Sequence, residues 1–163
     1  MAVVDLLALP GALAPRIALA GIDHGEKTLG VAISDTSLTI ASPAMVIRKT
    51  KFTHDAETLF ALMSERGVGG LVIGLPVNMD GSEGPSCQSA RAFARNLLRL
   101  RELPIAFWDE RLSSAAVNRL LIDEADVSRA RRSRNVDKMA AAWILQGALD
   151  RLRAARADPT TPL

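Results

Sequence analysis

Residues 16–23 and 29–34 are two nearly continuous apolar runs joined by a short polar segment that contains Gly25. Runs of this length, bounded by turn residues, predict two buried strands connected by a tight turn. A third run, 39–48, contains Pro43, which predicts an edge or interrupted strand because proline cannot donate to a ladder. From 53 to 66 the apolar positions Ala56, Leu59, Phe60, Leu62 and Met63 recur at helical spacing. Leu71-Val72-Ile73-Gly74 lies between Gly70 and Pro76 and reads as a buried parallel strand. Turn residues fill 76–85, and a helix is predicted over 86–101 with Ala90, Phe93, Ala94, Leu97 and Leu98 inward. A strand follows at 105–108, then helices at 113–124 and 136–153. A hairpin followed by alternating helices and strands predicts an α/β domain with a mixed sheet.

Length and composition narrow the class. A chain of 163 residues with 48% apolar content suits one domain over 16–153, with an extension at 1–15 and a flexible tail at 154–163. The extension is expected to be either poorly ordered or an arm packed on the domain. It is too short to span a bilayer, lacks a basic start and is interrupted by Asp5, so no membrane association is expected. Cys87 is the single cysteine, which fits a reducing, cytoplasmic setting. The net charge is only +2, but Arg129, Arg131, Arg132 and Arg134 crowd together, and arginine suits bidentate phosphate contacts. A solvated loop is the plain alternative for that cluster. Arg91, Arg95 and Arg99, spaced by four, form a stripe expected to be a solvated helix face.

Three acids are candidates for chemistry. Asp23 ends the first apolar run, where a carboxylate is costly unless a cation compensates it; a turn-capping role is the alternative. Glu110 follows the strand 105–108, beside Asp109. Asp137 opens the last helix, whose Ala140, Ala141 and Ala142 allow close approach to the sheet. The carboxyl ends of neighbouring parallel strands share one crevice in open α/β sheets. Carboxylates gathered there would repel one another without a divalent cation between them, and Mg²⁺ takes oxygen ligands together with substrate phosphate.

Four segments then occur in one order: Gly21-Ile22-Asp23-His24-Gly25 with Gly30-Val31-Ala32-Ile33-Ser34-Asp35; Gly74-Leu75-Pro76 with Asp80-Gly81-Ser82; Asp109-Glu110-Arg111-Leu112-Ser113; and Val136-Asp137-Lys138-Met139-Ala140-Ala141. Together they resemble the YqgF family, the RuvX-type Holliday-junction resolvases. The resemblance implies a ribonuclease-H-like, mixed five-stranded sheet flanked by helices, and nuclease action on branched DNA or on precursor rRNA, at the 5′ end of pre-16S rRNA. It implies Mg²⁺ or Mn²⁺ as cofactor, Asp23, Glu110 and Asp137 as catalytic metal ligands, and products with 5′-phosphate and 3′-hydroxyl ends. Lys27, Arg111 and the arginines at 129, 131, 132 and 134 are the expected phosphate contacts. The chain departs from the family in Lys27-Thr28, where many members carry Lys-Arg. Compared with the better-known bacterial junction resolvases, the strand 71–74 ends without an acid, and Asp109 is the candidate fourth ligand.

Two other classes share this fold. One is a non-catalytic nucleic-acid-binding or ribosome-assembly factor. The other is an ATP-binding, actin- or kinase-like domain, against which Glu26 stands where a Walker loop needs glycine before the lysine. A homodimer would suit a four-way junction with two symmetric strands to cut.

Overall fold

The computed structural model describes residues 3–112 and 129–157, with the backbone alone over 129–138. The elements run β1 (Ala18–His24), β2 (Thr28–Ser34), β3 (Ala41–Arg48), α1 (Phe52–Arg66), β4 (Val68–Leu75), α2 (Pro85–Leu100), β5 (Ile105–Asp109) and α3 (Arg129–Ala157). The strands form one mixed sheet in the order β3-β2-β1-β4-β5. β1 pairs antiparallel with β2 and parallel with β4, and β4 pairs parallel with β5. This is the ribonuclease-H-like α/β sheet expected from the sequence.

Burial on both faces explains the continuous apolar runs. Ala18, Ala20 and Ile22 of β1 join Leu59 and Met63 of α1 and Phe93 and Leu97 of α2 in one core. Leu19, Val72, Ala106 and Trp108 face the other way and pack with Ala141, Ile144, Leu145 and Leu149 of α3. The sheet is therefore sandwiched, with α1 and α2 on one side and α3 on the other. Side chains alternate along a strand, so the parity of a residue on β1, β4 or β5 tells which layer it meets.

β3 is an edge strand, as Pro43 requires. Val31 pairs with Met45 but Ala32 pairs with Pro43, so Ala44 is an extra residue and the register shifts there. α1 ends at Gly67, whose φ of 66° closes the helix in the left-handed region. α2 begins with Pro85, where a missing N–H costs no helix bond.

Two details differ from expectation, the start and the end of α3. α3 is already helical at Arg129 and continues to Ala157, where residues 136–153 were expected. Alanine and arginine are both good helix formers and neither glycine nor proline interrupts 129–146, so the arginine cluster belongs to helix rather than to loop. Ala155 is buried at the far end, which draws residues 154–157 into the domain. The N-terminal segment is a packed arm: Val4 N–H donates to the Ile105 carbonyl at 2.8 Å, and Leu6 and Leu9 enter the α3-side core. Each such leucine contributes about 1.5–3 kcal/mol of burial before ordering costs. The expected helix at 113–124 lies outside the described residues.

Candidate active site

Asp23 sits one residue past the Ile22–Ile73 pair, level with Gly74 of β4. It shares its parity on β1 with Leu19 and Gly21, so its side chain belongs to the α3 side of the sheet. α3 comes close there because Gly21 has no side chain: a Cβ on it would lie 2.6 Å from Leu145 Cβ and 2.9 Å from the Ala141 carbonyl oxygen. Gln146 fastens the same helix to β3 by accepting from Ala41 N–H at 2.9 Å and donating to the Thr39 carbonyl at 3.0 Å.

Glu110 follows β5 in a short 3-10 turn, Glu110–Leu112. β4 lies between β5 and β1, so two strand spacings, about 9–10 Å, separate Glu110 from the strand of Asp23. Gly74 leaves the β4 backbone bare between them. A Cβ on Gly74 would lie 2.6 Å from Ile144 Cδ1 and 3.2 Å from Glu110 Cγ, so the Glu110 side chain lies against the bare β4 backbone on the α3 side, at the residue level with Asp23. Asp23 at the end of β1 and Glu110 just after β5 thus stand on the α3 side of the same carboxyl edge of the sheet, with Gly74 of β4 between their strands. Two carboxylates are the hard, all-oxygen donor set that a Mg²⁺-type cation takes, and the apolar end of Ile144 packs over Gly74 beside them.

Asp137 lies in α3 one helical turn before Ala141, and its side chain lies outside the described residues. The side chains of Arg129, Arg131, Arg132 and Arg134 lie outside them too. Asp109 is oriented differently from the other acids. It shares its parity on β5 with Ile105 and Phe107, which belong to the α2-side core. Arg111 grips it: Nε lies 3.1 Å from each carboxylate oxygen and Nη2 2.7 Å from Oδ2. This guanidinium holds the Asp109 carboxyl below the usual carboxylate range. Asp109 is therefore on the opposite face from Asp23 and engaged by a cation, so the candidate fourth ligand is displaced by simple strand alternation. Arg111 also reaches the Met79 carbonyl at 3.4 Å, which ties β5 to the 76–84 loop and leaves only part of its fork for phosphate.

Lys27 is exposed in the β1–β2 turn. β2 follows that turn directly, whereas a Walker loop must open a helix; the local geometry thus argues against the ATP-binding alternative. In the arginine stripe of α2, Arg91 is committed to Glu83 through contacts of 2.7 and 2.8 Å and lies over the Phe107 ring. It is not a uniform surface for nucleic acid.

A group that sequence reasoning missed lies on the α2 side of the same strand end. Lys49 Nζ donates to the Gly25 carbonyl at 3.1 Å and lies 3.3 Å from His24 Nε2. Burial, and then the Lys49 charge, push the His24 pKa down to about 4, so a neutral ring accepts from the ammonium. The available signal was the run Arg48-Lys49-Thr50-Lys51 directly after the third predicted strand. Among the described residues no helix is long and apolar enough to cross a membrane.

Comparison with known proteins places the chain in a family. The family model described as RuvX, Holliday junction resolvase, matches residues 17–151. A Phenylobacterium zucineum protein named "Putative pre-16S rRNA nuclease" is 69% identical over 154 residues, covering 94% of this chain and 99% of its own. A Rhodospirillum rubrum protein of the same name is 56% identical over 158 residues, covering 97% and 98% respectively. Among solved structures, Thermus thermophilus RuvC in complex with Holliday junction substrate aligns with a TM-score of 0.47 and 14% identity, over 90% of this chain and 99% of that one. The match over 17–151 and the near full-length relatives establish that the chain belongs to the RuvX Holliday junction resolvase family.

Proposed function

We propose that this chain is a divalent-metal-dependent endonuclease whose substrate is structured nucleic acid, with the 5′ region of pre-16S rRNA as the first substrate and branched DNA as the second. The observation that carries the reading is the Glu110 side chain laid against Gly74, the β4 residue level with Asp23. Relatives at 56–69% identity that bear the pre-16S rRNA name favour the RNA, while the family description favours the junction.

Asp23 and Glu110 would hold Mg²⁺ or Mn²⁺, with Asp137 completing the shell from α3. When bound, such a cation lowers the pKa of water and stabilises charge on phosphoryl oxygens. The protein's own contribution is rigidity. Asp23 is paired with Gly30 of β2 and directly follows the last β1–β4 pair, and the Glu110 side chain lies against the β4 backbone at Gly74. Rigid placement of this kind is what keeps a reacting group within reach of its target. Lys27, the free part of the Arg111 fork and the arginines of early α3 would position the phosphate backbone. Cleavage by in-line displacement would leave 5′-phosphate and 3′-hydroxyl ends. Two copies acting together would match the two strands of a four-way junction.

The direct test is cleavage of precursor 16S rRNA and of a synthetic four-way DNA junction side by side, with Mg²⁺, Mn²⁺ or EDTA. Metal-dependent cuts at discrete positions in one or both substrates are expected. Tight binding with no turnover in either metal would instead identify a non-catalytic assembly factor.

A further inference from the structure

We propose that the cleft between the β1–β2 turn, the end of β3 and the first turns of α2 holds a backbone phosphodiester of the bound nucleic acid, gripped by Lys49 and the hydroxyls of Ser86 and Ser89. The inference rests on the nuclease reading above and adds a second contact point, on the opposite face of the sheet from Asp23.

The cleft has a volume of about 370 Å³ and is lined by His24, Glu26, Lys49, Ser86 and Ser89 among others. A recess of about 280 Å³ adjoins it and shares His24, Lys49 and Ser89. Lys49 is the organising residue. Its ammonium has three donors; the Gly25 carbonyl and His24 Nε2 take two of them, which aims the charge and leaves one for a ligand. Lys49 N–H also donates to the Lys27 carbonyl at 2.9 Å, so the hairpin turn and the end of β3 are joined.

Charge around the opening is mostly positive. Lys27, Arg48 and Lys51 are all exposed near Lys49. Glu26 is exposed at the rim, where solvent screens it. In the adjoining recess, Asp55 is already satisfied by Thr50, accepting from its N–H at 3.0 Å and its hydroxyl at 2.9 Å. An anion in the cleft would thus meet a fixed ammonium and two hydroxyls rather than an uncompensated carboxylate.

Position links the cleft to the acids. His24 follows Asp23 on β1, so their Cα atoms are about 3.8 Å apart and their side chains take opposite faces. A strand of nucleic acid passing over the carboxyl edge of the sheet could place one phosphate at Asp23 and Glu110 and another in the cleft. Such a grip holds backbone without reading bases.

The test measures binding in EDTA, which separates it from catalysis. Fluorescence anisotropy of a labelled four-way DNA junction and a labelled RNA hairpin is followed against salt for wild type, Lys49→Gln, Lys49→Arg and Arg66→Gln. Arg66 is an exposed control at the end of α1, at the opposite edge of the sheet. Lys49→Gln should bind about tenfold more weakly at low salt, with a salt slope lower by about one. Lys49→Arg should recover most of the affinity, Arg66→Gln should match wild type, and all should unfold at similar temperatures. Amide NMR shifts at Ser86 and Ser89 should follow oligonucleotide addition and stay small with millimolar inorganic phosphate. Equal losses for Lys49→Gln and Arg66→Gln, or no loss for either, overturn the cleft while wild-type cleavage leaves the nuclease reading standing. Equal shifts with inorganic phosphate overturn the backbone assignment in favour of a free-phosphate site.

Discussion

Replacing Asp23 by Asn should abolish metal-dependent cleavage while leaving the fold and most nucleic-acid binding in place. Asn is nearly the same size and Asp23 is only half-buried at its strand end, so the core of β1 and its two ladders are untouched. The lost charge matters for a different reason. A carboxylate in this position would neutralise a divalent ion, and metal assistance supplies several kcal/mol of transition-state stabilisation, on the order of 10³-fold or more in rate. Initial rates on precursor rRNA and on the four-way junction, with binding measured in EDTA and thermal unfolding in parallel, check this. Undiminished cleavage by the purified variant would falsify the role assigned to Asp23.

Gly21→Ala and Gly74→Ala should fail in opposite ways, although both add one methyl group to the α3 face of the sheet. At Gly21 the new carbon would meet Leu145 Cβ at 2.6 Å and the Ala141 carbonyl oxygen at 2.9 Å. Neither atom can rotate away, so α3 as a whole must lift. Overpacking of this sort costs about 1–3 kcal/mol, a fall in Tm of about 2–12 °C for a domain of this size. At Gly74 the closest atoms are Ile144 Cδ1 at 2.6 Å and Cγ1 at 3.1 Å, the end of a side chain that can change rotamer, and the third is Glu110 Cγ at 3.2 Å. Stability should change little there while Glu110 is pushed off its path, so cleavage should drop at a nearly unchanged Tm. Calorimetry paired with cleavage rates distinguishes the two. Equal losses of stability would mean that Gly74 serves packing alone.

How far the sequence foretells these features depends on how local each one is. β1 and β2 are readable because both faces are buried, which leaves apolar runs of the right length with Asp23 at the tip. The edge character of β3 follows from Pro43, though the extra residue at Ala44 does not. The placement of Glu110 against Gly74, level with Asp23, depends on the register of three strands and on the absence of a side chain at Gly74; no spacing along the chain encodes it. Asp109 shows the same limit from the other side. It adjoins Glu110 in sequence, yet strand alternation turns it to the opposite layer, where Arg111 occupies it. The Lys49 cleft brings together residues 24, 49, 86 and 89, and only the folded sheet makes them neighbours. The start of α3 was obscured because an arginine-rich stretch looks as much like a solvated loop as like a helix.

The central claim is that Asp23 and Glu110 share one divalent cation. Anomalous diffraction from crystals equilibrated with Mn²⁺, at concentrations that support cleavage, addresses it most directly. A peak about 2.0–2.2 Å from a carboxylate oxygen of each residue, absent in Asp23→Asn crystals treated identically, is the predicted result. A Mn²⁺ peak bound elsewhere, with neither carboxylate in its shell, would contradict the account.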